Sequence, residues 1–168
     1  MSRSHDWPAW EGLVLAMRLS FRPAAGPGSE DRAFIVATWS SSYKKSHSAG
    51  IIDTDSWAAV MHPQFERILN LPDARAVIAC DKADPAYLCG WIAGDTSEAV
   101  PVIYFVYVKE PYRRAGIARG LFSAFGVDPT KYFVHVCSAP SSFRRHVAHA
   151  RFNPNEVRYP KESRRRPL

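Results

Sequence analysis

The most informative part of the sequence is the stretch 106–121, which reads VYVKEPYRRAGIARGL. An apolar strand pattern stops at a turn that contains Pro111, and a helical pattern begins directly after it. The start of a helix presents unpaired N–H groups and the positive end of the helix dipole, so anions bind there. Bulky side chains are absent at the helix start, and Arg113 and Arg114 add positive charge. The stretch therefore predicts a backbone cradle for a pyrophosphate group.

The same stretch resembles the signature of a known superfamily. It lacks the GxxxxGK[ST] pattern of a P-loop and the GxGxxG pattern of dinucleotide-binding folds. The run Arg113-x-x-Gly116-x-Ala118, after a strand, resembles the (Arg/Gln)-x-x-Gly-x-(Gly/Ala) signature of GNAT acyl-CoA-dependent N-acyltransferases. The resemblance implies pyrophosphate contacts, mainly from backbone N–H groups, at Arg113, Arg114, Ala115, Gly116 and Ala118. It also implies main-chain contacts from Val106 and Val108 to the pantetheine arm of acetyl-CoA (CoA), the expected cofactor.

The order of elements along the chain predicts the fold class. Strand patterns cover 13–19, 76–80, 87–93, 100–108 and 132–137, and helical patterns cover about twelve residues from 30, then 57–69, 113–125 and 142–152. We expect an α/β (α+β layered) fold with a GNAT-like mixed, partly antiparallel central sheet flanked by helices. Ser29 is the expected N-cap of the first helix, Thr54 or Asp55 caps the second, and Pro63 kinks or splits it. Gly126 is the expected C-cap of the helix after the motif.

Length and composition indicate an ordinary globular protein. The 168 residues, 46% hydrophobic and 23% charged, suit a single domain, 1–168, with a basic C-terminal tail at about 160–168. No apolar run approaches the roughly 20 residues that span a bilayer, so we expect no membrane contact. Cys80, Cys89 and Cys137 lack zinc-site spacing, and we interpret them as reduced cysteines in a cytoplasmic protein that binds no metal. A monomer and a homodimer both remain open.

Charge is unevenly distributed between the two parts of the chain. Residues 1–100 hold nine Lys/Arg and twelve Asp/Glu, a net charge of −3, whereas residues 101–168 hold thirteen and four, a net charge of +9. A positive field of this kind attracts a polyphosphate cofactor, an acidic substrate or a nucleic acid. Nucleic acid is therefore one candidate partner of the basic C-terminal part.

Candidate general acids and bases are harder to identify. Many GNAT enzymes carry a tyrosine that protonates the leaving thiolate, about five residues before a Gly-Phe pair; here Val147 takes its place, before Arg151-Phe152. His146 and His149 flank that position and titrate near neutral pH, although both also suit an ordinary basic surface. Further candidates for the general base are Tyr104, Tyr107, Asp53, Asp55 and His62, and Ser138, Ser141 and Ser142 are candidates for hydrogen bonds to the cofactor or a water.

The two tyrosines lie on the same predicted strand. Regular strand alternation predicts that Tyr104 and Tyr107 face opposite sides of the sheet. Cys137 could carry the acyl group as a nucleophile, but no sequence motif positions a histidine to activate it.

The acceptor site is expected between the first two helices, as the resemblance implies. The polar and aromatic segment 39–48 falls there, with Trp39 and Tyr43 as candidate substrate-binding residues, and it also suits a plain solvent loop. Three hypotheses follow. The first is an N-acetyltransferase that transfers an acetyl group to the primary amine of a small or macromolecular acceptor. The second is a nucleic-acid-directed acyltransferase of the phage DNA-modification type, and the third is a non-catalytic CoA-binding module.

Overall fold

The computed structural model describes residues 18–46, 51–137, 147 and 149–159. In chain order its elements are β1 (Leu19–Pro23), α1 (Glu30–Ser46), α2 (Thr54–Leu69), β2 (Ala74–Asp81), β3 (Leu88–Asp95), β4 (Val102–Val108), a 3-10 turn (Glu110–Tyr112), α3 (Ile117–Phe125), β5 (Phe133–His135) and β6 (Ala150–Phe152). The strands form a six-stranded sheet in the order β1-β2-β3-β4-β5-β6. Most predicted elements are therefore present, with shifted boundaries.

The sheet is mixed, as the sequence predicts. Strands β1 to β4 form an antiparallel meander, whereas β5 runs parallel to β4 and β6 runs parallel to β5. Helices α1 and α2 cover one face through a core that includes Trp39, Phe65 and Trp91. Helix α3 covers the other face through a second core that includes Leu121 and Phe122. The expectation of a layered α/β fold with a partly antiparallel sheet is confirmed.

Helix α1 is longer than predicted. The predicted start of the helix is correct: Ser29 is the N-cap, and its hydroxyl accepts a hydrogen bond from the Arg32 N–H at 3.2 Å. The helix continues to Ser46, so the prediction of about twelve helical residues is too short. The end of the helix occupies most of the segment 39–48 that also suited a loop. Three consecutive serines weaken the local helical signal, but the Tyr43 ring packs on the rings of Trp57 and Phe65. Tertiary packing of this turn overrides its low helix propensity.

The N-cap of helix α2 lies one or two residues before the predicted one, and the helix is continuous. Its N-cap is Asp53, whose carboxylate accepts the Ser56 N–H at 2.9 Å, rather than Thr54 or Asp55. Pro63 lies inside the helix and does not split it. Phe65 and Leu69, both buried, follow Pro63 and anchor the second half of the helix on the core. Burial of these two side chains offsets the hydrogen bond that proline removes.

The terminal strands correct two further predictions. The first strand covers Leu19–Pro23, so the predicted run at 13–19 meets it only at Leu19, and residues 13–17 lie outside the described part. Residues Ala150–Phe152, predicted as the end of a helix, form β6, and residues 138–146 of that prediction are also not described. Pairing with β5 and a ring contact between Phe152 and His135 outweigh the helical spacing.

An ion pair joins β1 to the start of α1. Arg22 donates to both carboxylate oxygens of Asp31, at 2.9 Å for the Nη2–Oδ1 bond, and the Ala25 N–H donates to the same carboxylate at 2.8 Å. The hydrogen bond from Arg22 is the main reason that the pKa of Asp31 lies below its ordinary value. The pair therefore stabilises the fold only while Asp31 is ionised.

We expect Asp31→Asn to lower the free energy of unfolding at pH 7 by about 1.5–3 kcal/mol, the usual contribution of hydrogen bonds to a charged group. Since the folded-state pKa is lowered, the contribution of Asp31 is complete above about pH 4 and is lost as the pH falls through the folded pKa. Urea unfolding of both proteins between pH 7 and pH 2 measures this difference. A gap between them that does not shrink in acid would contradict the assignment.

Candidate functional site

Strand β4 contains an irregularity that creates an opening in the sheet. Phe105 pairs with Ala93 and Ile103 pairs with Gly94, so Tyr104 is an extra residue on β4, as in a β-bulge. On the other side, β5 pairs with β4 at Val102 and Ile103 in the described residues, and the Val136 N–H donates to the Ile103 carbonyl at 3.0 Å. The bulge therefore lies where β5 leaves β4.

Beyond the bulge, Val106 and Val108 direct their main-chain groups away from β3. The Lys109 N–H donates to the Cys89 carbonyl on β3 at 2.9 Å, whereas the Val108 carbonyl accepts the Nε–H of Arg113 at 3.1 Å. Successive residues of a strand alternate in direction, so Val106 shares the outward direction of Val108. Among the described residues, no strand pairs with the second half of β4, so this edge is open there, with main-chain hydrogen-bonding groups of Val106 and Val108 along it.

The residues after β4 form a turn with exposed backbone. Arg114 and Gly116 both have left-handed backbone conformations, with φ of 68° and 77°. Gly116 is the N-cap of α3 and provides no side-chain hydrogen bond, so the first amides of the helix are not capped by a side chain. A Cβ at Gly116 would meet no atom of the described residues within 4 Å, so the space beside this turn is open. Residues 113–116 are all exposed.

Side chains behind the turn hold it against the sheet. Tyr112 is buried, and its hydroxyl is hydrogen-bonded to the hydroxyl of Tyr87 near the start of β3. That hydrogen bond and burial raise the pKa of Tyr112 to about 12, so the phenol stays protonated at neutral pH. Arg113 was predicted only as a phosphate contact, but its Nε–H also ties the turn to the end of β4. The turn is therefore positioned by the ends of two strands.

The chemistry of this region suits a CoA-type ligand. Uncapped amides at a helix start, with Arg113 and Arg114 beside them, match a diphosphate. An open strand edge matches the amide groups of an extended pantetheine arm, which pair with a backbone as an added strand does. The two features lie next to each other, because the turn follows β4 directly.

Tyr104 and Tyr107 are placed differently from the prediction. Both pack in the core beneath α1 and α2, so the expectation that they face opposite sides of the sheet is wrong. The bulge at Tyr104 interrupts the alternation and is the physical reason. Tyr104 is only 1% exposed, and burial is the main cause that raises its pKa to about 12. Its phenol therefore stays protonated at neutral pH, which does not suit a general base.

The two candidate acceptor residues lie on α1. Trp39 is 1% exposed and stacks on Phe65 with 4.4 Å between ring centroids, a packing arrangement. Tyr43 is half-buried one turn further along α1, and its ring stacks on Trp57. Burial, followed by the nearby Cys137, raises the pKa of Tyr43. Of the two side chains, Tyr43 therefore has the surface that a ligand could contact.

Cys137 lies just after β5, close to Trp39 and Tyr43. Burial raises the pKa of its thiol to about 12, and the indole of Trp39 offsets this only partly. A thiol with this pKa is almost entirely protonated at neutral pH, whereas the thiolate is the nucleophile. The site does not activate Cys137.

The remaining candidate acid and base residues are dispersed. His149 is exposed in the turn before β6, and His146, Ser138, Ser141 and Ser142 lie outside the described residues. Val147, at the position of the expected tyrosine, is buried in the core beneath α3. Asp53 caps α2, and its hydrogen bonds with Ser56 lower its pKa. The described members of this set therefore lie before β6 and at the start of α2, not on β4.

Two further features are absent from the described part of the chain. They contain no group of three or more His, Cys, Asp or Glu side chains that could hold a metal ion. None of their helices combines the length and apolar character needed to cross a membrane.

Comparison with known proteins gives structural matches alone. No family model matches the sequence, and no curated protein does. A Staphylococcus aureus protein described as a GNAT-family acetyltransferase aligns over 79% of this chain and 97% of its own, with a TM-score of 0.50 and 16% identity. A Desulfovibrio desulfuricans protein with the same description covers 64% of this chain and 63% of its own (TM-score 0.43, 17% identity). The PaiA N-acetyltransferase from Thermoplasma acidophilum, in complex with coenzyme A, covers 66% and 70% (TM-score 0.46, 17% identity). The mixed sheet and the match to the Staphylococcus aureus protein show that the chain has a GNAT-like α/β fold.

Proposed function

We propose that this protein is an N-acetyltransferase that transfers the acetyl group of acetyl-CoA to a primary amine. The observation that carries the proposal is the open edge of β4, which leads directly to the uncapped start of α3. A ligand with an extended amide-containing arm and a diphosphate at its end matches both features. The fold supports the same assignment, but fold alone does not define a reaction.

In this proposal the cradle and the strand have separate roles. Amides from Arg113 to Ala118, with the two arginines, bind the pyrophosphate, and Arg114 has the freer side chain because Arg113 also bonds to Val108. The Val106 C=O and the Val108 N–H bind the pantetheine arm. These residues hold the thioester at the bulge, beside the face covered by α1.

The reaction we propose is direct attack by a neutral amine. The thioester supplies an activated acyl group; the amine nitrogen forms a bond to its carbonyl carbon, and the bond from that carbon to sulfur breaks. The Val106 N–H is the first main-chain donor beyond the bulge on the open edge, and it is suited to stabilise the oxyanion. A base is needed to take the proton of an ammonium substrate. Tyr104 is poorly suited, and His146 and His149 stay candidates for protonating the thiolate.

A screen with pooled primary amines tests the proposal. The purified chain is incubated with acetyl-CoA and the amines, free thiol is followed with time, and acetylated products are identified by mass spectrometry. We expect acceptor-dependent thiol release and a product heavier by one acetyl group. Failure of CoA to stabilise the protein against heat would contradict the proposal. Tight CoA binding without turnover across the pool would favour a non-catalytic CoA-binding module instead.

Direct transfer predicts that Cys137 is dispensable. We expect Cys137→Ser to retain acetyl transfer within about twofold, since a thiol with a pKa of about 12 forms almost no thiolate at neutral pH. The measurement is the initial rate with the best amine from the screen, and Cys89→Ser is the matched control for removal of another thiol with a raised pKa. A rate that disappears only in Cys137→Ser would indicate an acyl-enzyme mechanism.

The nucleic-acid alternative stays a prediction from the +9 charge of residues 101–168. Phosphate binding by that part of the chain predicts affinity for DNA that decreases steeply with salt. Binding that is absent at low salt would remove this alternative.

A further inference from the structure

Helix α1 crosses the sheet from β1 toward the proposed transfer site. Its first turn is held at β1 by the ion pair of Asp31. Further along, Trp91 of β3 donates to the Thr38 hydroxyl at 2.8 Å. The Trp39 ring then packs on Phe105 of β4, with 5.7 Å between centroids. Phe105 directly follows the bulge, so the next turn of α1 lies beside the point where β5 leaves β4.

Tyr43 occupies that next turn of α1. It packs against the same core as Val136 and Cys137, which lie at the end of β5 and just after it. After burial, the nearby Cys137 thiol is the second cause that raises the pKa of the Tyr43 phenol, so the two side chains are neighbours. Tyr43 therefore lies on the α1 side of the gap between β4 and β5, and part of its surface is accessible.

Tyr43 and Trp57 together form an aromatic platform. Their rings stack with 6.4 Å between centroids and 22° between planes, and both residues are half-buried. The Phe65 ring meets Tyr43 edge-on from the core, with 6.1 Å between centroids. The Trp57 Nε1–H donates to the Ser40 carbonyl at 3.1 Å. These contacts fix both ring planes before any ligand binds.

The surface next to the platform is apolar. Ile51 and Ile52, just before α2, are 94% and 42% exposed. Val60 is 63% exposed and lies three residues after Trp57, a spacing that makes the two side chains neighbours on α2. Exposed apolar side chains that cluster in this way mark a site for a ligand or a partner. The position beside the gap between β4 and β5 favours a ligand of the transfer reaction.

We propose that the acceptor of the acetyl group is a primary amine with an aromatic body, whose ring packs on the platform of Tyr43 and Trp57. The inference rests on the proposed function and adds the class of its acceptor. Aromatic rings prefer offset-stacked or edge-on contacts with one another, and these contacts add to the gain from burial of apolar surface. A short alkyl amine would use little of the platform.

Steady-state kinetics with phenethylamine, 2-cyclohexylethylamine and ethylamine test the proposal. Acetyl-CoA is saturating, and amine concentrations are expressed as the neutral form. We expect kcat/KM for phenethylamine to exceed that for ethylamine by at least about tenfold, because a Phe-sized group is buried. It should exceed that for 2-cyclohexylethylamine by about two- to tenfold, the usual gain from ring contacts. Equality of phenethylamine with either of the other two amines would overturn the proposal.

Variants of the platform locate the bound ring. Tyr43→Leu and Trp57→Leu should each lower the phenethylamine-to-ethylamine ratio of kcat/KM by about fivefold or more. This ratio does not depend on the fraction of folded enzyme. Tyr43→Phe keeps the ring and should keep the ratio, and Tyr132→Leu, which removes a 49% exposed tyrosine before β5, is the matched control. An unchanged ratio in both leucine variants of the platform would overturn the proposal.

The outcomes separate this inference from the proposed function. Acetylation of ethylamine without preference for the aromatic amine would overturn the acceptor class and leave the acetyltransferase assignment in place. If no amine is acetylated, calorimetry of phenethylamine with the full chain, with and without CoA, decides between the outcomes. Binding that Tyr43→Leu weakens supports the platform, whereas absent binding, or binding that Tyr43→Leu leaves unchanged, overturns the proposal.

Discussion

Replacing Gly116 with glutamate is expected to weaken CoA binding by at least about a hundredfold. The backbone of Gly116 is left-handed, and its missing Cβ faces the open space beside the turn. A glutamate would add bulk and a negative charge where the proposal locates the diphosphate, and unfavourable juxtaposition of like charges costs several kcal/mol. The left-handed conformation adds about 1 kcal/mol of strain, which a folded domain tolerates. Calorimetric titration with CoA measures the effect.

Gly126→Glu is a matched control for this experiment. Gly126 is also left-handed, with φ of 83°, a Cβ there would also meet no atom, and it ends the same helix. The two substitutions therefore introduce the same side chain and similar strain, about 15 Å apart at the two ends of a nine-residue helix. We expect Gly126→Glu to bind CoA nearly as the unmodified chain does. Equal CoA affinity of the two variants would show that the cradle is misplaced.

The second large effect is expected on stability, at Asp95. This carboxylate is 1% exposed and accepts hydrogen bonds from the Ser97 N–H at 2.7 Å and hydroxyl at 2.6 Å. It also lies 3.3 Å from Nη1 of Arg158, whose side chain is 12% exposed and donates to the Val100 carbonyl. Asp95→Ala would leave the Arg158 guanidinium buried beside the β3–β4 turn without its main counter-charge. We expect a loss of about 3–5 kcal/mol in the free energy of unfolding, as for other broken buried pairs.

A double-mutant cycle separates the charge from the packing. Arg158→Met removes the charge and keeps an apolar stem, so Asp95→Ala combined with Arg158→Met should be more stable than Asp95→Ala alone. Urea denaturation at pH 7 gives the four free energies. Simple additivity of the two losses would argue against a coupled pair.

The local pattern at the motif predicted the main features of the candidate site. A strand, a turn and a helix are short-range features, and Gly126 was correctly predicted as the C-cap. The helix begins at Ile117, four residues after the predicted start at Arg113, because Arg114 and the N-cap Gly116 have left-handed backbone. The fold class followed from the order of strand-like and helix-like segments along the chain, as a mixed order of this kind indicates a layered α/β fold.

The bulge in β4 could not be predicted from the residues. The strand reads VIYFVYV, which is apolar on both faces, so the pattern carries no information on register or alternation. The inserted residue, Tyr104, is determined by pairing with β3 and by the departure of β5, which are contacts distant in sequence. The bond from Arg113 to Val108 was missed because it depends on the path of the turn. Tyr43 was assigned to a loop because its helical turn is stabilised by α2, not by its neighbours in sequence.

The most direct test of the account is a crystal structure of this chain with CoA. We expect diphosphate oxygens within hydrogen-bond distance of backbone amides between Arg113 and Ala118, with the pantetheine arm along Val106 and Val108. A diphosphate bound elsewhere, or a pantetheine arm that makes no main-chain contact with β4, would contradict the account.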